Sequence, residues 1–200
     1  MATRFSVTWD YLCPFARNAH EHIVSAVRAG ADWDVGYRFF SLAQSHVPDG
    51  EEPVWQDPAQ HPGLLAGLAG VVVRERQPDR FLDVHLALYR ARHDEGLDLR
   101  DQHVVSEVLD RAGVDGAAVL REVDAGWPSK QAQAEHDEAV QKWGVFGVPT
   151  FMIGDKAVFV RLMQRPQGDA SLAKATIEKI LGLVEGFPEL NEYKFTRIPR

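Results

Sequence analysis

The chain has 200 residues, a formal net charge of −7, 45% hydrophobic and 26% charged residues. That suits one globular domain, or a domain with an insertion, burying about 70% of its unfolded surface. The acidic balance lacks the basic stripe that nucleic-acid binding requires. No apolar run reaches the ~20 residues of a membrane span, and Met1-Ala2-Thr3-Arg4 leads into a strand pattern without a signal-peptide block. The expectation is a cytoplasmic protein with neither a membrane nor a nucleic-acid partner.

In chain order, Phe5, Val7 and Trp9 alternate with Ser6 and Thr8, the period of a strand from Arg4 to Trp9. Asp10-Tyr11-Leu12 leads to Cys13, the single cysteine, and to Pro14 in a first-turn position where its missing N–H costs nothing. The helix that follows presents Ala19, Ile23, Ala26 and Val27 on one side and ends near Gly30. Trp33, Val35, Tyr37 and Phe39 alternate as a second strand.

Between about Ser41 and Gly144 the pattern changes. Pro48, Pro53, Pro58 and Pro62 with Asp49-Gly50 mark an irregular stretch, after which helical spacing dominates through Leu68, Val72, Phe81, Val84, Leu88, Val105, Leu109, Val119 and Val123. Four or five helices are expected, with Gly113 and Gly126 as stops and Asp115 and Ser129 as caps. Strand character returns from Val148 to Ile153, Gly154-Asp155 reads as a two-residue hairpin turn, and Ala157 to Leu162 is the returning strand. A last helix, about Asp169 to Gly186, is expected to face Leu172, Ile177, Ile180, Leu181 and Val184 inward.

The order β-α-β, helices, β-β-α is that of a thioredoxin-like α/β fold with a large all-helical insertion. Residues 1–40 and 145–200 would form one discontinuous domain and residues 41–144 the inserted one. The insertion's apolar stripes must be buried, so it is expected to lie as a lid over the sheet and leave a cleft above Cys13.

Cys13 falls where a strand passes into a helix N-terminus, whose unpaired N–H groups favour a thiolate. The expected consequence is a thiol that titrates below the ~8.5 of a free cysteine. The competing reading is a small buried core residue. With one cysteine there is no internal disulfide.

Asp10-Tyr11-Leu12-Cys13-Pro14-Phe15-Ala16 resembles the active-site segment of DsbA-like thioredoxin-fold oxidoreductases, and Gly147-Val148-Pro149-Thr150 resembles their cis-proline loop. Within that family the chain looks most like the cytoplasmic FrnE-like proteins and the actinobacterial mycothiol-dependent reductases. The tail Phe187-Pro188-Glu189-Leu190 followed by Lys194-Phe195-Thr196-Arg197 is similar to the end of the latter. The resemblance implies that Cys13 is the nucleophile, that Val148–Pro149 is cis, and that Pro14, Phe15, Val148, Pro149 and Thr150 contact substrate.

Dithiol members carry a second cysteine three residues after the first, where this chain has Ala16. The implied chemistry is therefore monothiol: Cys13 forms a mixed disulfide, and an external small thiol, mycothiol or glutathione, resolves it. No cofactor is held permanently; the partners are the small thiol and a disulfide or small-molecule substrate, with a homodimer left open. Kappa-class glutathione transferases and 2-hydroxychromene-2-carboxylate isomerases share the architecture but usually place serine at this position, and there the Cys13 thiol would position a glutathione sulfur. A third reading is a redox-inactive module whose cleft captures peptides or an apolar ligand.

Other residues are weighed more simply. Arg17 lies four positions after Cys13 and either tunes the thiolate or is a solvated surface residue. His20, seven positions on, is a remote proton relay at most; His20 and His22 point to different helix faces and no set of ligands completes a metal site. Asp10 caps or orients the loop, and its charge would oppose a thiolate. Trp9 is expected inside and Phe15 at the rim. Trp143, Val145 and Phe146 either brace the proline loop or line the cleft, and Glu135-His136-Asp137-Glu138 reads as a wet helix face.

Overall fold

The structure, a computed structural model, describes residues 2–48, 50–58, 61–192 and 194; Asp49 and Phe195-Thr196-Arg197 of the readings above lie outside them. Four strands form one sheet in the order β2-β1-β3-β4. Strand β1 (Thr3–Trp9) pairs in parallel with β2 (Trp33–Phe39) and antiparallel with β3 (Thr150–Ile153), which continues through the Gly154-Asp155 turn into β4 (Lys156–Phe159). Helix α1 (Pro14–Arg28) crosses between the parallel strands, and α8 (Ala170–Gly186) packs beside it. This is the thioredoxin-like order.

The expected strand ends move inward for reasons the hydrogen bonds give. Strand β3 starts at Thr150 and not at Val148, because Pro149 has no N–H and the Val148 carbonyl is taken by Cys13. Strand β4 stops at Phe159, short of Leu162, whose carbonyl accepts from Asn18 of α1. In α8 the buried stripe is Ala173, Ile177, Ile180, Leu181 and Val184. Leu172 is one position out of phase and 51% exposed, correcting its expected inward direction.

The insertion holds a four-residue helix α2 (Leu42–Ser45), a 3₁₀ turn (Pro62–Leu64) and five longer helices. These are α3 (Leu65–Arg76), α4 (Pro78–His93), α5 (Gln102–Arg111), α6 (Gly116–Asp124) and α7 (Trp127–Trp143). Asp115 caps α6 through the Ala118 N–H. Ser129 does not cap α7, which begins two residues earlier with Pro128 in its first turn. Helix α3 reaches the sheet closely because Gly67 and Gly70 face aromatic rings: a Cβ at Gly67 would lie 2.4 Å from Phe39, and one at Gly70 2.6 Å from the Tyr11 hydroxyl.

Helix α7 corrects the wet-face reading. Glu135 is 6% exposed, and its carboxylate binds the Arg74 guanidinium and accepts the Phe39 N–H at 2.8 Å. Arg74 in turn donates to the Tyr37 carbonyl at 2.7 Å. These two side chains thus satisfy backbone groups on the free edge of β2, the place where an unpaired strand would otherwise invite another chain. Asp137 and Glu138 stay half-exposed as expected of that run, Glu138 pairing with Arg38.

Candidate active site

The loop between β1 and α1 is fixed by its own first residue. Asp10 accepts the N–H groups of Leu12 and Leu42, each at 2.9 Å, so one carboxylate ties the loop to the start of the insertion. Burial, only partly offset by those two bonds, pushes the Asp10 carboxyl up to about 6. The loop's other side is held by His93 of α4, whose Nε2 donates to the Tyr11 carbonyl at 2.9 Å.

Cys13 occupies the N-cap of α1. Its sulfur accepts the Ala16 N–H at 3.4 Å and its S–H donates to the Val148 carbonyl at 3.3 Å. The Val148–Pro149 bond is cis. Residues far apart in the chain therefore meet at one sulfur, as the two motifs imply. Thr8 and Thr150 hold the proline loop: Thr150 N–H donates to Thr8 Oγ1 at 2.8 Å and Thr150 Oγ1 to the Gly147 carbonyl at 2.8 Å. Thr150, expected at the substrate, is 3% exposed and spends its hydroxyl on this tie.

The expected acidity is reversed. Burial raises the Cys13 thiol above its ordinary value; the N–H groups of Ala16 and Phe15 pull it down, and the Asp10 charge pushes it up again. The residue is only 7% exposed. Two N–H dipoles at the helix start do not repay the removal of water from the sulfur.

Arg17 departs from both of its readings. It is buried, and its guanidinium pairs with Asp94 and with Glu21, which Arg165 also binds. It ties α1 to the end of α4 and is absent from the influences on the thiol. His20 is buried in a chain of neutral groups. Its Nε2–H donates to the Thr8 carbonyl at 3.1 Å, which leaves Nδ1 to accept from His85 Nε2–H at 3.0 Å, and His85 Nδ1 then accepts the Tyr11 hydroxyl at 2.9 Å. Burial drives both imidazoles toward the neutral form, His20 to about 4. The sequence reading missed His85, which lies in α4 and carries no local signal beyond its place beside Val84 and Leu88.

The rim is uneven. Pro14 is exposed and Phe15 half-buried, with the Arg161 guanidinium over its ring at 5.7 Å. Phe146, just before the proline loop, is 71% exposed and packs on Phe159 at 5.2 Å, whereas Trp143 turns away to donate to the Gly154 carbonyl at 3.0 Å. The insertion covers the active-site loop. A cavity of about 330 Å³ lies away from the sulfur, at the edge of β2 between Val27, Trp33, Tyr37 and Phe81; the site itself is marked by its sulfur geometry.

Comparisons with known proteins agree with this geometry. A family model described as a DSBA-like thioredoxin domain matches residues 6–165. Solved structures with the same fold include a 2-hydroxychromene-2-carboxylate isomerase, with TM-score 0.64 and 14% identity over 90% of this chain and 97% of that one. A cytosolic disulfide reductase, DsbM, from Pseudomonas aeruginosa gives TM-score 0.62 and 15% identity over 90% and 99%. A probable DsbA oxidoreductase from Streptomyces coelicolor gives 0.59 and 18% over 96% and 93%. No curated protein matches the sequence.

Proposed function

Because the chain belongs to the DSBA-like thioredoxin domain family, we propose that it catalyses thiol–disulfide exchange through Cys13 alone, with an external small thiol completing each cycle. The observation that carries the reading is the Cys13 sulfur held between the Ala16 N–H and the Val148 carbonyl, with a buried alanine where a resolving cysteine would stand. The Cys13 thiolate attacks a disulfide, one sulfur leaves as a thiolate with its electron pair, and a mixed disulfide forms on Cys13. A second thiolate then attacks that bond and returns Cys13 to its starting state. Mycothiol and glutathione are the candidate resolving thiols, and the setting is cytoplasmic, as it is for the cytosolic disulfide reductase that shares the fold.

The raised thiol acidity constant shapes this chemistry. Little thiolate is present at neutral pH, so attack must speed up with alkalinity through a midpoint above that of an ordinary cysteine. The same observation favours a second reading, in which a protonated Cys13 donates to a bound glutathione sulfur during isomerisation or transfer; a 2-hydroxychromene-2-carboxylate isomerase shares the fold. Cys13→Ser separates the two. Exchange is expected to vanish with the fold intact, whereas retained glutathione-dependent isomerisation in that variant would exclude the monothiol route. Ala16→Cys is expected to introduce an internal disulfide with Cys13, visible as a loss of free thiol after oxidation, and to make turnover less dependent on added small thiol.

A further inference from the structure

We propose that Arg161 receives a carboxylate of the molecule whose sulfur joins Cys13, so that the site selects carboxylate-bearing thiols and disulfides over uncharged ones. The inference rests on the exchange reading above and names its substrate class. Phe15 is two residues beyond the nucleophile and directs its own N–H toward the sulfur. The Arg161 guanidinium lies over that ring, 5.7 Å from its centroid. A cation is thus parked on the rim of the site, in the segment that follows β4.

Its charge is uncommitted in a way its neighbours' charges are not. Arg17 and Arg165 are tied to Asp94 and Glu21, and Arg38 to Glu138. Arg161 is exposed and forms no ion pair among the described residues. One carboxylate already senses it: Glu192 is held below its ordinary value chiefly by Lys194, 2.6 Å away, with a small contribution from Arg161. Stacking on an aromatic ring holds the planar fork ready at low entropic cost, and a guanidinium matches a carboxylate with two parallel hydrogen bonds.

Arg161 takes no part in the electron balance. Cys13 thiolate displaces one sulfur of the disulfide, the new bond is Cys13 sulfur to substrate sulfur, and the departing thiolate carries the electron pair; Arg161 only holds the incoming molecule by its acid group. Glutathione carries carboxylates and mycothiol, an inositol-linked amino-sugar thiol, does not, so the assignment distinguishes the two candidate thiols in favour of the first.

The test follows the mass of the full chain with time during reaction with glutathione disulfide and, separately, with uncharged 2-hydroxyethyl disulfide. Arg161→Ala is expected to slow adduct formation on Cys13 about ten-fold with glutathione disulfide, equivalent to ~1.4 kcal/mol, and to leave the uncharged probe unchanged. Arg161→Lys, with charge but no fork, should fall between. An equal loss with both probes, or no loss with glutathione disulfide, overturns the assignment while leaving Cys13 exchange intact. Failure of the unaltered chain to form an adduct with either probe overturns the exchange reading and this inference together.

Discussion

The cluster under the first half of β1 and the cluster beyond its C-terminal end are both closed to water, but only the second contains groups that must find hydrogen-bond partners. The first is Phe5, Val7, Ala19, Ile23, Phe151, Ile177, Ile180, Leu181 and Val184, hydrocarbon packed between α1, α8 and the sheet. The second brings Trp9, Tyr11, Phe39 and Cys13 against the inserted helices, with His20, His85 and the Arg74–Glu135 pair buried around it. The first holds the sheet together without choosing a register for anything else. The second fixes where the active-site loop sits, because Tyr11, His20, His85 and the Arg74–Glu135 pair find their partners in this arrangement, while the buried Trp9 indole N–H and Tyr89 hydroxyl find none among the described residues.

The largest effect that should break this contrast comes from splitting the buried ion pair. Arg74→Met leaves Glu135 charged among apolar neighbours and frees the Tyr37 carbonyl, and is expected to cost about 3–5 kcal/mol in denaturant unfolding. A shift of Arg74→Met no larger than that of an exposed pair such as Arg4–Asp34 would show that the edge of β2 is not held this way.

On the hydrocarbon side, Ile177→Ala is expected to cost about 2–5 kcal/mol by removing packed methylene groups. The rate at which Cys13 reacts with a disulfide should be unaltered in the folded protein, since Ile177 belongs to the cluster that does not touch the sulfur. A changed reaction rate in that variant would mean the two clusters are coupled.

Asp10→Asn is the smaller and sharper test, because it changes charge at the hinge between loop and insertion. The native carboxyl, raised from 3.8 to about 6, binds more protons folded than unfolded in that interval. Stability should therefore be fully present below about pH 4 and decline as pH rises toward 6. Asp10→Asn should flatten that slope, measured by urea midpoints across the interval. Removing the charge should also lower the Cys13 midpoint seen in thiolate absorbance, because Asp10 is one of the influences that raise it; an unchanged or higher midpoint would assign the raised thiol to burial alone.

Much of the chain was legible as sequence because its signals are local. Alternation in Phe5, Val7 and Trp9 and in Trp33 to Phe39 set the strands, Pro14 set the first helix turn, and Asp115 set a cap, since each acts on backbone within a few residues. The site was legible in part, through Cys13, Pro149 and the missing second cysteine at Ala16. What only the tertiary structure decided are quantities that depend on which distant groups arrive. Glu135 looked wet until Arg74 and the Phe39 N–H met it, and Arg17 looked free until Asp94 took its charge. The Cys13 thiol looked acidic until burial outweighed the N–H groups of Ala16 and Phe15. Periodicity and caps act over single turns and can be read one segment at a time; desolvation and charge pairing are properties of the assembled interior, and no segment carries them alone.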